Sequence, residues 1–584
     1  MINKNVRFRV RVVREKNMKK RTVTLLLVLC TILSLLAFAS CDRGGKETDP
    51  AASVSGEPVA DLTGTGEATT EAAPDKWESI APKILLITER DRTLKIECSI
   101  NDFTSVKTSK NDVYLKGPDS VTDGETPKIE QMVYERNKAA DDLLGTKVEF
   151  VLWDYGWGSQ APQIDILVKG KATGAPDLFV NMIYDLHVEL LNGAFKDVRS
   201  IPNAFFDFSA GGWLTEWMEN LSFTGDRAYV LGSDYFMDIF RSTNVLPFNM
   251  TMMDENAAKL APAILGADET LGEGENLTSH FFDLVERGGW TWDVLGEMCE
   301  AIWVDGDGDG QDSIYDQLGI IADTFGGEAA AAFVYSCGTE LIEAYTIEDE
   351  SNPYNGKQWL RYSTDTTAIT LIFDKVKSVF EGPGSLSTGG NRSNNTPENA
   401  GLAYHHTKFA ERGVLFAGVC AIGGLEDEVF QEMDDLYSVV PCPKADATYS
   451  YNTVIFNSAD AGAINVNANP RKARVLSAYL QYCTEHSPAI RNQYLQIVMK
   501  YKVTTYDQGT DRMLNIIYDS ILWGRDKMVE DRNEEPRWHG LMRTGLFLVG
   551  SDYIAQQVRE TVTRKQAALD DVMKTWYTLP KTEN

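Results

Sequence analysis

The sequence has little positive charge and no extended basic run after its first 21 residues. Its 56 Lys and Arg are outnumbered by 85 Asp and Glu, which gives a formal net charge of -29. Removing residues 1–40 takes away nine Lys or Arg and one Glu, so the charge moves to -37. Because nucleic-acid binding relies on clustered Lys and Arg, this composition excludes a nucleic-acid partner.

The sequence also lacks the common catalytic motifs. It has no H-E-x-x-H, no G-x-S-x-G and no glycine-rich phosphate loop. Six histidines include one close pair, His405 and His406, which we interpret as a polar loop feature. A glycoside hydrolase needs two carboxylates beside a cleft, and so many acidic residues leave that alternative open.

Cysteines are few and carry no metal-ligand spacing. Beyond Cys41 there is no C-x-x-C pair among the cysteines at positions 98, 299, 337, 420, 442 and 483. Two interpretations stay open, a disulfide or two, and free buried thiols that behave as small apolar residues.

The first 41 residues indicate where the rest of the chain works. A basic stretch at residues 18–21 precedes an apolar run at 22–39, and small residues stand immediately before Cys41. About eighteen apolar residues are also just long enough for a transmembrane anchor. A secretory signal followed by a cysteine is typical of a bacterial lipoprotein. We therefore predict a signal peptide at 1–40, lipidation of Cys41, and an extracytoplasmic protein anchored to the cell membrane.

A low-complexity segment follows the signal. Residues 41–83 are rich in Gly, Ala, Ser, Thr, Pro and Glu. Such a composition buries too little apolar surface to fold, so we predict a flexible stalk. The roughly 500 residues beyond it are enough for two large folding units.

Strands and helices alternate in the folded part. Residues 147–152 form an apolar, strand-like run, and Thr126-Pro127 precedes a helix with apolar residues on one face. A second helix opens at Asn469-Pro470. Residues 382–398 have the composition of one long surface loop. The alternation predicts an α/β fold.

A series of short segments spans almost all of the folded region: VYERN (133–137), GAPDL (174–178), LLNGAFKD (190–197), LPFN (246–249), GWTWD (289–293), the acidic loop 305–319, FAERGVLF (409–416) and YSVVPCPK (437–444). In this order they resemble one known family, the extracellular solute-binding proteins (family 1 type) of carbohydrate ABC importers.

The resemblance implies a two-lobed periplasmic-binding-protein-like (type II) fold, with a cleft between the lobes and a hinge of several strands. Residues 84–243 and 440–487 would form the N-terminal lobe, and residues 244–439 and 488–584 the C-terminal lobe. It also implies a monomer that holds a carbohydrate in the cleft and delivers it to the membrane permease subunits of an importer. No cofactor is required and no catalytic residue is expected.

Aromatic and polar residues supply candidates for that cleft. Trp153 and Trp157 leave the end of a predicted strand in a turn, where open α/β sheets bind ligands. Flat rings suit the apolar faces of sugars, although packing in the core is the ordinary role of tryptophan. The predicted ligand-binding residues are Trp153, Asp154, Trp157, Asn181, Tyr184, Trp213, Asn249, Trp290 and Gly424.

One acidic loop has the spacing of a calcium site. Asp305, Asp307 and Asp309 alternate, and Asp316 stands at the twelfth position. The pattern departs from an EF-hand at Asp312, where an apolar residue is usual, and at Asp316, where Glu is usual. We predict structural Ca²⁺ at these four aspartates, with a solvated Asp-Gly turn as the alternative.

The main prediction is a binding protein, and two other classes remain. An exported glycoside hydrolase would share the acidic, aromatic composition. A stalked surface adhesin would share the anchor, but it would not account for the alternation of strands and helices.

Overall fold

The computed structural model describes residues 75–100, 102–104, 107–156, 158–267, 269–323, 328–338, 341–388, 402–456, 458–499, 509–522, 524–525 and 538–579. The predicted signal peptide, Cys41, the first part of the stalk and Trp157 lie outside the described residues.

Helices in the described part are α1 Lys76–Leu85, α2 Glu89–Arg92, α3 Lys128–Leu144, α4 Gln160–Lys169, α5 Ile183–Leu191, α6 Thr215–Leu221, α7 Met237–Arg241, α8 Met250–Glu255, α9 Ala257–Leu265, α10 Leu277–Glu286, α11 Trp292–Ile302, α12 Glu328–Ser336, α13 Thr366–Glu381, α14 Leu402–Ala410, α15 Glu428–Glu432, α16 Pro470–Glu485, α17 Pro488–Val498, α18 Gly509–Asp519, α19 Trp538–Thr544 and α20 Ser551–Thr578. Short 3-10 or π turns lie at Asp112–Lys116, Val198–Ser200, Ile422–Glu426 and Gly545–Val549. None of the helices among the described residues is both long enough and apolar enough to span a bilayer.

Strands in the described part are β1 Thr93–Ser99, β2 Asp102–Thr104, β3 Lys107–Thr108, β4 Lys147–Trp153, β5 Leu178–Met182, β6 Val230–Leu231, β7 Asn244–Asn249, β8 Leu318–Asp323, β9 Ile342–Thr346, β10 Gln358–Tyr362, β11 Ser385–Thr388, β12 Val414–Phe416, β13 Cys420–Ala421, β14 Tyr437–Val440, β15 Thr453–Val454, β16 Asp460–Ile464 and β17 Ile521–Leu522.

Two larger sheets organise the molecule. The first sheet has the order β4-β1-β5-β16-β6, with β1 parallel to β4 and β5, and with β16 antiparallel to β5 and β6. In the second sheet the order is β11-β8-β12-β7-β13, and β14 also pairs with β7. The chain passes from the first sheet to the second between β6 and β7, and it returns between β14 and β16. The α/β class predicted from the alternation is confirmed, and the proposed lobe boundaries stay a prediction.

Helices predicted from capping residues form as expected. The side chain of Asn469 caps α16 by accepting a hydrogen bond of 2.9 Å from the backbone N–H of Lys472, and Pro470 occupies the first turn. The inner face of this helix is fully buried through Val475, Leu476, Tyr479, Leu480 and Cys483. Helix α3 follows Pro127 and ends at Gly145, whose φ of +60° is left-handed. Apolar spacing and caps together therefore predicted both helices.

The stalk is shorter than the composition indicated. Helix α1 begins within the predicted stalk, and its residues Trp77, Ala81 and Ile84 are buried. The indole Nε1 of Trp77 donates a 3.1 Å hydrogen bond to Glu485 at the end of α16. The predicted stalk boundary at residue 83 is therefore wrong, because these apolar residues find a partner surface far along the chain.

The predicted surface loop at 382–398 also needs correction in its first part. Residues Ser385–Thr388 form β11, which pairs in parallel with β8. The polar composition of this segment concealed the strand, because Ser385 pairs with Ile320, which lies far earlier in the chain. Residues 389–398 lie outside the described part.

Candidate functional site

Three parallel strands of the first sheet end together. β1 ends at Ser99, β4 at Trp153 and β5 at Met182, while the antiparallel β16 begins beside them at Asp460. We call this side of the sheet the carboxyl edge. In open α/β sheets, ligands bind in the crevice outside the carboxyl ends of the strands.

An accessible aromatic pair lies at the carboxyl edge. Trp153 is half-buried, with its ring 6.2 Å from that of Phe179, and it meets Tyr155 edge-on at 5.4 Å. Tyr155 is 38% exposed, and Asp154, which separates these two residues in the sequence, is also exposed. A ring face beside a carboxylate can stack on the apolar face of a ligand while it accepts hydrogen bonds from hydroxyl groups. Tyr155 was missed as a site residue, although it lies between the predicted Trp153 and Trp157 in the sequence.

Asn181 lies near the end of β5, and Tyr184 lies just after that strand. Tyr184 is half-buried in the first turn of α5. Asn181 has no exposed surface, and its Nδ2 donates a hydrogen bond to the carboxyl of Glu97 on β1. The structure therefore places Tyr184 at the carboxyl edge and Asn181 beneath it.

Two predicted tryptophans have packing partners instead of exposed faces. Trp213 is 7% exposed, contacts Phe208 edge-on at 5.1 Å, and donates a 3.1 Å hydrogen bond to Gln481. Trp290 has no exposed surface and stacks on Phe416 at 5.5 Å. Its indole Nε1 donates a 2.9 Å hydrogen bond to the Pro441 carbonyl. In this conformation neither ring is open to a ligand, which corrects the expectation for both.

Asn249 and Gly424 are also buried, and each has a local structural role. The side chain of Asn249 accepts a 2.9 Å hydrogen bond from the backbone N–H of Met252 and so caps α8, while its Nδ2 donates to Asp435 at 2.8 Å. Gly424 lies in the 3-10 turn Ile422–Glu426. Neither residue is exposed to a ligand in this conformation.

A partly buried ionic cluster centres on Glu426. The guanidinium of Arg241 donates to Glu426 at 2.8 Å and to Asp238 at 3.0 Å, and Arg241 is 1% exposed. Tyr494 donates its hydroxyl to the same carboxylate at 2.7 Å, and Lys110 forms an ion pair with it. Burial by itself would raise the pKa of Glu426, but the charges of Arg241 and Lys110 outweigh it and lower the pKa.

A second cluster links the loop after β6 to α17 and α18. Arg491 of α17 donates to both oxygens of Asp234 at 3.1 Å. The hydroxyl of Tyr518 on α18 donates to Asp234 at 2.8 Å, and the guanidinium lies 3.8 Å from the Tyr518 ring. Like the Glu426 cluster, this contact joins segments distant in sequence near the passage into β7. Neither cluster has a local spacing that would reveal it in the sequence.

The acidic loop brings three of its predicted ligands together. Asp305, Asp307 and Asp309 each offer a carboxylate oxygen, and these oxygens lie within 4.8 Å of one another. Gly310 has a φ of +74°, so it makes the sharp turn that the sequence predicted. Hard cations such as Ca²⁺ prefer oxygen ligands of this kind, so these three residues fit the predicted ion.

Asp316 has a different role within that loop. It is 1% exposed, and its two oxygens accept hydrogen bonds from the backbone N–H groups of Gly306 at 2.7 Å and Ser313 at 2.6 Å. The side chain of Asp312 accepts a hydrogen bond of 2.8 Å from the backbone N–H of Gly384, which lies outside the loop. In this conformation both side chains therefore stabilise the loop through backbone hydrogen bonds. Calcium binding at the loop stays a prediction.

The histidine pair and the cysteines are core residues in the described part. His405 and His406 lie on α14, not in a loop as predicted, and burial lowers the pKa of His406 to about 4. The six described cysteines are free and buried. Burial raises the pKa of Cys299 to about 12, which keeps this thiol protonated and unreactive.

Comparisons with known proteins add solved structures but no sequence relatives. No protein-family model matches the chain, and no curated protein matches it. The sugar-binding protein MalE from Xanthomonas citri is similar at 9% identity and a TM-score of 0.47, covering 82% of this chain and 99% of that one.

Two further solved structures give lower scores. The GacH receptor of Streptomyces glaucescens, solved with and without acarbose, has 11% identity and a TM-score of 0.42 over 83% of this chain and 100% of that one. RafE from Streptococcus pneumoniae has 14% identity and a TM-score of 0.41, covering 84% of this chain and 98% of that one. The fold is therefore defined by the strand order of the two sheets.

Proposed function

We propose that this chain is the substrate-binding lipoprotein of an ABC importer, and that it captures a sugar or oligosaccharide between its two sheets without changing it. The observation that carries the proposal is the accessible surface at the carboxyl edge, where Trp153, Asp154 and Tyr155 combine ring faces with a carboxylate. Two sheets connected by crossing segments support it, because a ligand bound between two such units can be enclosed by their closure.

The proposal includes the cellular setting read from the sequence. The signal and Cys41 support lipid anchoring on the extracytoplasmic face of the membrane, and the binding role implies permease subunits as partners. We propose a monomer without catalytic activity. Intact-mass analysis of the detergent-extracted protein tests the anchor, since it should show a diacylglyceryl adduct on an N-terminal Cys41.

A calorimetric screen tests the binding function. The soluble chain from Pro74 onward should bind a member of a panel of neutral mono- and oligosaccharides with one-to-one stoichiometry, and mass spectrometry should recover the ligand intact. Cleavage products would instead indicate a hydrolase. Absence of any binder in the panel would favour an adhesin.

A matched pair of variants locates the site. Tyr155→Ala should weaken binding about two- to tenfold, because a stacked ring contributes roughly 0.5–1.5 kcal/mol beyond area burial. Tyr315→Ala is the control, since Tyr315 is 63% exposed but lies in the acidic loop. Equal affinities of the two variants would remove the carboxyl edge from the proposal.

A further inference from the structure

Glu97 is a buried carboxyl group with a single hydrogen-bonding partner in the described part of the chain. It lies on β1, between β4 and β5, and has no exposed surface. Asn181 Nδ2 donates to Glu97 Oε2. The other oxygen, Glu97 Oε1, has no partner among the described residues, and neither has Asn181 Oδ1.

The two unpartnered atoms belong to groups that already share one hydrogen bond. Both atoms are acceptors if Glu97 is ionised, so neither can satisfy the other, and each would lose its hydrogen bonds to water without compensation. A proton on Glu97 Oε1 changes this, because the resulting O–H can donate to Asn181 Oδ1. The acid and the amide would then exchange two hydrogen bonds, one in each direction.

No buried cation compensates a charge at this position within the described residues. The buried charged and titratable side chains on the elements around β1, β5 and β16 are Cys98, Arg136, Asp177, Asp185, His187, Glu189, Lys196, Asp460, Tyr479 and Cys483. Arg136 donates its hydrogen bonds to Asn137, Ser487 and the Leu115 carbonyl, and the charge that acts on Glu97 among the described residues is that of Asp460. Two partly exposed lysines nearby are engaged elsewhere, Lys95 with Glu149 at 3.8 Å and Lys472 with Asp177 at 2.8 Å. An ionised Glu97 would therefore be a buried charge without a compensating cation among the described residues, which is strongly unfavourable.

We propose that Glu97 is un-ionised at neutral pH and forms a two-hydrogen-bond acid–amide pair with Asn181 that joins β1 to β5 beneath the carboxyl edge. Burial, assisted by the negative charge of Asp460, raises the pKa of Glu97 well above its ordinary value, which agrees with this geometry. The pair requires no ligand, so it stands apart from the proposed sugar binding.

The proposal fixes the sign of a pH effect. An unfolded chain releases the Glu97 proton near an ordinary pKa of about 4.3, whereas the folded chain keeps it. Above that pH the folded state holds one more proton than the unfolded state, so this group lowers stability as the pH rises toward the folded pKa. Glu97→Gln has no proton to lose and can donate in the same direction, so it removes the dependence.

Urea unfolding of wild type, Glu97→Gln and Glu149→Gln between about pH 5 and pH 8 tests whether Glu97 lowers the stability as the pH rises. The folding equilibrium constant of Glu97→Gln relative to wild type should rise about tenfold per pH unit, the value for one proton. Glu149→Gln is the matched control, because Glu149 is on the neighbouring β4 with a side chain 64% exposed, and its ratio to wild type should not rise. A ratio for Glu97→Gln that is independent of pH would overturn the proposal.

Infrared spectroscopy gives a second readout. The carbonyl stretch of an un-ionised carboxylic acid should persist at pH 7 in wild type and disappear in Glu97→Gln. Burial also raises the pKa of Glu189 to about 7, so the band must persist in Glu189→Gln as well, and its absence from Glu189→Gln would overturn the proposal even if Glu97→Gln failed to fold. A stabilisation by Na⁺ or Ca²⁺ present in wild type and absent in Glu97→Gln would show a bound cation in place of the proton and would refute the pair.

Discussion

Glu97 is fully buried and Glu426 is partly buried, with 18% of its side chain exposed, and their surroundings shift the two pKa values in opposite directions. Glu426 receives hydrogen bonds from Arg241 and Tyr494 and an ion pair from Lys110, and its pKa is lowered. Glu97 has one amide partner in the described part of the chain, and its pKa is raised. Burial opposes ionisation of both carboxyl groups. The presence of cationic hydrogen-bond donors therefore decides whether the carboxyl group is ionised.

Removing the cation beside Glu426 should have the largest effect. Arg241→Met leaves the carboxylates of Glu426 and Asp238 without their buried partner, and we expect a loss of about 3–5 kcal/mol in the free energy of unfolding at neutral pH. Urea denaturation followed by circular dichroism measures it.

An exposed pair provides the control for that variant. Arg361 is 57% exposed and pairs with Glu343 at 3.1 Å, so Arg361→Met should cost less than about 1 kcal/mol. Similar losses for the two arginines would mean that the Glu426 cluster is no more important than a surface ion pair.

Neutralising Glu426 should have a smaller effect, with a pH dependence opposite to that of Glu97. Its folded pKa is lowered, so the stability it provides is present above the unfolded pKa and is lost as the pH falls through the folded pKa. Glu426→Gln should therefore cost about 1.5–3 kcal/mol near pH 7 and progressively less in acid. Denaturation midpoints of both proteins from pH 7 downward give the comparison, and a constant deficit would contradict it.

The acidic loop represents a third environment for carboxylates, one open to solvent. If Ca²⁺ binds the folded loop at tenfold excess over its Kd, it adds about 1.4 kcal/mol. We expect a chelator to lower the melting temperature of wild type and to leave Asp307→Asn unchanged. Equal melting of wild type with and without chelator would favour the solvated turn.

The sequence was most informative where local signals decide the structure. Asn469 and Pro470 began α16, and apolar spacing defined the buried face of α3, because caps and helical periodicity act over a few residues. β11 and the inner part of α1 were missed, since their partners β8 and α16 lie far away in the chain.

Site residues were harder to predict than elements. A tryptophan has the same identity in a core and in a cleft, so the sequence did not distinguish the buried Trp290 from the half-buried Trp153. The hydrogen-bond partners of Asn181 and Glu426 lie on other strands and helices, and no sequence spacing predicts them. The acidic loop was easier, because its aspartates are near neighbours in sequence.

The strand order also determines when the molecule can fold. β5 and β6 are both completed by β16, and the entire second sheet lies between β6 and β16 in the chain. Pairings at such separations require large loops to close before they contribute, so folding rates fall as the average separation rises. A chain growing from its N-terminus therefore holds β5 with one edge unpaired until residue 464 is available. Truncation before β16 should therefore leave β5 and β6 of the first sheet with unpaired, aggregation-prone edges, although every strand of the second sheet is already present.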